Sequence, residues 1–89
     1  MIKLEYFHNP VCPYCPAAKS LVNKVVDGLK DIEVVDVDTF TDEGIARGMS
    51  LNLMAVPAVA INGAIKLIGW PFEEADLLAS IAEAQRNVA

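Results

Sequence analysis

Eighty-nine residues are enough for one domain with a buried core and leave little to spare. More than half are apolar (54%), but the longest apolar run, Leu53 to Ile61, is broken by Pro57 and is far too short to span a bilayer, so it is read as core rather than membrane anchor. A net charge of −5, with the basic residues scattered from Lys3 to Arg86, argues against nucleic acid and anionic membranes, which need clustered cations.

Ile2-Lys3-Leu4-Glu5-Tyr6 alternates apolar and polar, the period of a half-buried strand, and His8-Asn9-Pro10 breaks it into a loop. From Pro13 the period becomes helical, with Ala18, Leu21, Val22, Val25 and Leu29 on one stripe and Gly28 near its end. Ile32 to Val37 returns to strand character. Thr41-Asp42-Glu43 reads as the start of a second helix, with a capping hydroxyl and two acids at the positive end of the dipole. That helix contains Gly44 and Gly48, each costing about 1 kcal/mol relative to alanine. Its predicted stop is Asn52, and it is expected to be the most mobile element. Ala58 to Ile61 and Ala64 to Ile68 flank Asn62-Gly63, a pair that specifies a two-residue hairpin because both turn positions need positive φ. A terminal helix opens at Phe72-Glu73-Glu74-Ala75-Asp76 and should bury Leu77, Leu78 and Ile81.

The order βαβαββα predicts an α/β fold: a four-stranded mixed sheet with helices on both faces, formed by residues 1–89 as a single domain. The first two strands should run parallel through a right-handed crossover. Residues 1–5 show no basic segment or long apolar stretch, so no signal peptide is read and the cytoplasm is the expected compartment.

Between the first strand and the first helix stand the chain's two cysteines, in Cys12-Pro13-Tyr14-Cys15. Neither has another thiol to pair with, and residues three apart on a first helical turn share a face, close enough for a disulfide to close. In a reducing cytosol such a pair points to a reversible, catalytic dithiol rather than a permanent staple. The reading is electron transfer between disulfides, with no cofactor beyond the Cys12–Cys15 couple itself.

With these elements in order, the chain resembles the thioredoxin/glutaredoxin superfamily over essentially its whole length. The resemblance rests on the Cys-x-x-Cys after the first strand, Val56-Pro57 before the hairpin, and a terminal helix after Gly69. Cys12-Pro13-Tyr14-Cys15 is similar to the active-site tetrapeptide of dithiol glutaredoxins, while Pro16-Ala17-Ala18 and Met54-Ala55-Val56-Pro57-Ala58 are similar to small archaeal-type thioredoxins. The resemblance implies a minimal thioredoxin fold, a cis peptide bond before Pro57, and a position for Pro57 across from the cysteines. The chain departs from the pattern in two places. Glutaredoxins usually carry Gly-Gly before the last helix, where this chain reads Gly69-Trp70-Pro71. Larger thioredoxins usually carry a tryptophan before the first cysteine and a buried aspartate in the preceding strand, where this chain has Val11 and Tyr6.

Taking Cys12 as the helix N-cap puts Pro13 at the first helical position, where its fixed φ suits. The Cys12 sulfur would then receive the free amides of Tyr14 and Cys15 and be held as a thiolate, the attacking species. Cys15 becomes the resolving thiol. Pro16 has two readings of equal weight: a harmless first-turn proline, or a bend that frees the Cys12 carbonyl. Tyr14 either faces solvent at the site's rim or covers the disulfide. A cis Pro57 would turn the Val56 backbone outward to pair with an extended substrate segment. His8 is read as a loop histidine, since two cysteines and one histidine do not complete a zinc site. Trp70 and Phe72 are read as pinning the last helix.

The expected activity is reduction of protein disulfides by a monomer that is itself reduced by an upstream disulfide reductase. A glutathione-dependent glutaredoxin is the alternative, and a metal or iron–sulfur carrier a more distant one.

Overall fold

The computed structural model describes residues 2–87; Met1, Val88 and Ala89, at the ends of the span read as one domain, lie outside the described residues. Seven elements follow in the predicted order: β1 (Ile2–His8), α1 (Cys15–Asp27), β2 (Ile32–Asp38), α2 (Asp42–Ser50), β3 (Ala58–Ile61), β4 (Ala64–Ile68) and α3 (Glu74–Asn87). The strands form one mixed sheet in the order β2-β1-β3-β4. β1 runs parallel to β2, from Ile2 opposite Ile32 to His8 opposite Asp38, and antiparallel to β3.

The alternation of β1 divides the molecule. Ile2, Leu4 and Tyr6 point to the face covered by α1 and α3, where they pack with Val22, Val59, Leu77 and Ile81. Glu5 and Phe7 point the other way, toward α2; Phe7 packs with Ala58 and Ala60 in a second cluster flanked by Leu51 and Leu53. Helix α1 buries Cys15, Ala18, Val22 and Val25, the 3-4-3 spacing that keeps side chains on one stripe.

The hairpin forms as the dipeptide predicts, with Asn62 at φ 51° and Gly63 at φ 84°. Thr41 caps α2, its hydroxyl accepting from the Gly44 N–H at 3.0 Å. Asn52, predicted as the helix stop, adopts φ 56° just beyond it. Four expectations need correction. Leu78 is 41% exposed: α3 buries Leu77 and Ile81 as expected and Ala84 with them, a 4-3 stripe that passes one residue to its side. His8 is not in a loop: it is the last residue of β1, held by the parallel ladder to β2. Gly44 is more than a propensity cost, since a Cβ there would lie 1.8 Å from the Asp38 carbonyl oxygen and only glycine allows that approach. Helix α1 starts later than expected, with consequences for the cysteines.

Candidate functional site

The two sulfurs are bonded as a disulfide, with their Cα atoms 5.5 Å apart, inside the range a disulfide requires. Cys15 opens α1 and is 4% exposed; Cys12 lies in the preceding loop and is only half-buried. The helix cap is Tyr14, not Cys12. Cys12 therefore stands two residues before the cap, and Pro13 lies outside the helix rather than at its first position. The physical reason lies in the loop: the Val11 N–H donates to Asn9 Oδ1 at 3.0 Å and the Cys12 N–H reaches the Asn9 carbonyl at 3.4 Å. This Asx-type turn holds the chain through Cys12 in a non-helical path. The first helical bond is Ala18 N–H to the Tyr14 carbonyl, 3.1 Å.

That boundary decides between the two readings of Pro16. As the second helical residue it removes an N–H that would have had no partner anyway, so it costs the ladder nothing. Tyr14 is 56% exposed and belongs to the rim.

The first turn of α1 is tied down from below: the Tyr6 hydroxyl donates to the Cys15 carbonyl. Burial, and then the Asp36 carboxylate, push that hydroxyl up to about 12, so it stays protonated as a donor. Sequence reasoning marked Tyr6 only as a substitution for the family's aspartate. Its phase with Ile2 and Leu4 was a signal that it points inward, and a buried tyrosine hydroxyl needs a partner. Beside it His8 stacks on the Tyr6 ring, centroids 5.3 Å apart. A cavity of about 280 Å³ opens here, lined by Tyr6, His8, Cys12, Cys15 and Lys19 among others. Lys19 reaches across its mouth to Asp36 at 2.8 Å.

Cys12, Val56 and Trp70 all pack against the main core cluster. The Val56–Pro57 peptide is cis, as the resemblance implied; Trp70–Pro71 is cis as well, which nothing in the sequence reading marked. Pro57 is fully buried. Its carbonyl accepts from the Gly69 N–H at 2.7 Å. Val56 precedes β3, and among the described residues its own N–H and carbonyl have no backbone partner. Next to it Thr39, Leu53, Met54 and Ala55 line a second hollow of about 220 Å³, with Met54 84% exposed. Trp70 meets Phe72 edge-on at 5.2 Å, and Phe72 is buried at the base of α3, which is the pinning role expected of the pair.

Among the described residues, no three His, Cys, Asp or Glu side chains are grouped to hold a metal ion, and no helix is long and apolar enough to cross a membrane.

Comparison with known proteins places this geometry in context. A family model described as a thioredoxin domain matches residues 2–82. A protein of Methanocaldococcus jannaschii named thioredoxin is 40% identical over 75 residues, covering 83% of this chain and 86% of its own length. Among solved structures, thioredoxin O2 from Arabidopsis thaliana in the oxidized state superposes with TM-score 0.73 at 18% identity, over 93% of this chain and 74% of that one. A thioredoxin f2 in a complex of ferredoxin:thioredoxin reductase and thioredoxin f2 gives TM-score 0.74 at 16% identity, over 94% and 77%. At those identities the structural likeness is one of fold. The glutathione-dependent alternative is not favoured by these comparisons.

Proposed function

The chain belongs to the thioredoxin family and is a thiol–disulfide oxidoreductase, and from that premise we propose that Cys12 attacks substrate disulfides and Cys15 resolves the product. In the forward direction the Cys12 thiolate bonds to one substrate sulfur and expels the other as a thiolate. Cys15, deprotonated in turn, bonds to the Cys12 sulfur and expels the first substrate sulfur. Two electrons pass to the substrate, which leaves as a dithiol, and the Cys12–Cys15 disulfide remains. A reductase must return the electrons. The support for such a partner is that a structural neighbour is a thioredoxin in complex with a reductase.

The observation that carries the assignment is the unequal exposure of two bonded sulfurs: Cys12 is half-buried in a loop, Cys15 is 4% exposed at a helix start. A bulky protein disulfide can approach only the first. The positive end of α1 begins at Cys15 and favours negative charge nearby, although Pro16 leaves one fewer amide to supply it. Val56 is the proposed substrate contact. Its unpartnered backbone groups, beside the hollow that ends in Met54, suit an extended segment added by main-chain hydrogen bonds. Pro13 and Tyr14 form the exposed outer rim that such a substrate would slide past. The chain acts in this reading as one monomeric domain, in the cytoplasm, where reduced partners keep a lone Cys-x-x-Cys cycling.

The test is insulin reduction with dithiothreitol as the electron source. The wild-type chain should accelerate it and Cys12→Ser should not. Cys15→Ser should instead accumulate a covalent complex with substrate; a Cys12→Ser chain that reduces insulin normally overturns the assignment.

A further inference from the structure

Cys15 poses a chemical problem that the fold solves unusually. To attack Cys12 it must lose a proton, yet it is 4% exposed and shielded from bulk water on the side of the core. β1 turns no carboxylate to this face: beneath Cys15 it presents Tyr6, whose hydroxyl proton is already given to the Cys15 carbonyl. Beside Cys15 on this face opens the 280 Å³ cavity, shared by Cys12, Cys15, Tyr6, Lys19 and His8. Among these walls the candidates for a proton acceptor separate readily. Tyr6 remains a protonated donor, burial and Asp36 having pushed it up to about 12. Lys19, from α1, is a cation paired with Asp36 of β2 at 2.8 Å. Asp38 of β2 stands opposite His8 in the register, and its Oδ1 is taken by the Phe40 N–H at 2.9 Å. His8 remains, and imidazole is the side chain that most often serves as a general base.

The position of His8 is fixed rather than loose. Its carbonyl accepts from both the Thr39 N–H at 2.8 Å and the Thr39 hydroxyl at 3.0 Å, and its ring lies on Tyr6 at an interplanar angle of 14°. Its backbone is pinned at the end of the strand, and its ring lies against Tyr6 beside the cavity that both residues line.

We propose that His8 accepts the proton of Cys15 across this cavity during resolution and returns it to the departing substrate thiolate. The step balances within the chain and its substrate. The Cys15 thiol gives its proton, relayed by cavity water, to the neutral imidazole; the thiolate so formed bonds to the Cys12 sulfur; the Cys12–substrate bond breaks with its electron pair on the substrate sulfur; the imidazolium protonates that sulfur. A cavity of this size, bordered by the polar groups of Tyr6, His8 and Lys19, has room and partners for the bridging water. This role rests on Cys15 being the resolving thiol. It assigns the task to a histidine on β1, a strand with no carboxylate on this face, while Asp36 of β2, opposite Tyr6, is held by Lys19.

The experiment separates attack from resolution. Reduced protein is mixed with a peptide disulfide in a single-turnover stopped-flow measurement, following the formation and then the decay of the mixed disulfide between pH 5.5 and 8.5. Three chains are compared with wild type: His8→Phe, which keeps an aromatic ring on Tyr6 but has no base, His8→Ala, and Cys15→Ser. Formation should be unchanged in the His8 variants. Decay should slow on the order of 10²-fold, as expected for loss of a positioned base. The pH dependence of the wild-type decay should change with it. Free imidazole should restore decay in His8→Ala. Decay within twofold of wild type in His8→Phe across the pH range overturns the proposal, as does a defect in His8→Ala that His8→Phe repairs, since ring packing alone would then explain it. Cys15→Ser reads the premise separately: if it does not trap the mixed disulfide, the resolving assignment fails and this role fails with it.

Discussion

The two faces of the sheet treat adjacent residues of β1 in opposite ways. Glu5, toward α2, is a buried carboxylate locked to Arg47 by two hydrogen bonds of 2.7 Å. Tyr6, toward α1, is a buried hydroxyl donated to the backbone of Cys15. A carboxylate thus lies within one residue of the place where larger family members carry theirs, but the period of the strand turns it to the far side of the sheet. There it is neutralised by a guanidinium and cannot serve the disulfide. Which polar group can reach the cysteines is a matter of strand phase, not of distance along the chain.

That comparison can be broken by removing one side at a time. The largest stability effect should come from Arg47→Ala, which leaves Glu5 buried and alone. Loss of a partner from a buried pair costs roughly 3–5 kcal/mol, and with Arg47 a third exposed and water-screened we expect about 2–3 kcal/mol by urea unfolding at neutral pH. Insulin reduction should be unaffected, because the pair lies on the other face. A fall in activity without unfolding would mean that the two faces are coupled.

The same pair sets a pH dependence. Hydrogen bonding from Arg47, only partly opposed by burial, holds the Glu5 carboxyl below its ordinary value of 4.5. A lowered carboxyl stabilises the fold above that ordinary value and loses the contribution as pH falls through the lowered one. Acid unfolding of wild type should therefore include a loss of stability below pH 4.5 that is missing in Glu5→Gln. Parallel acid curves for the two chains would count against it.

Gly44→Ala should cost about 1–3 kcal/mol, because its Cβ would meet the Asp38 carbonyl and force backbone apart. On the disulfide's face, Tyr6→Phe should cost about 1–1.5 kcal/mol, the usual range for a lost hydrogen bond with its acceptor left buried. Unlike Arg47→Ala it should also slow insulin reduction, since it loosens the first turn holding Cys15. The smallest effect, and of opposite sign, is Gly48→Ala: its nearest neighbour is a Leu53 side-chain atom at 3.4 Å, so helix propensity should prevail and add about 0.5–1 kcal/mol. Equal behaviour of the two glycines would mean that the close approach at Gly44 does not matter.

Much of this was legible in the chain. Period-2 and period-3.6 stripes place every element, Asn62-Gly63 sets the hairpin, and Thr41 sets the start of α2. What escaped belongs to contacts that leave no period in the sequence. The start of α1 lies later because Asn9 holds the loop through Cys12, its side chain accepting from the Val11 amide and its carbonyl from the Cys12 amide, contacts that leave no periodic trace. Leu78 was placed inside because three apolar residues near one another leave the phase of α3 unsettled until it meets the sheet. The need for Gly44 comes from a carbonyl six residues earlier, across a turn. His8 could not be placed beside Cys15 before β1 was known to extend that far. The cysteines are legible because their spacing and context are local; Val56 and Pro57 are legible only through the resemblance to the superfamily.

The account rests most heavily on one reachable, ionised sulfur beside one buried sulfur. The rate of iodoacetamide alkylation of the reduced chain, followed against pH with each cysteine resolved by mass spectrometry, tests this directly. Cys12 should react first, with an inflection well below the ordinary thiol value of about 8.5, and Cys15 should stay nearly inert in the folded protein. Two cysteines modified at similar rates, both inflecting near the ordinary value, would contradict it.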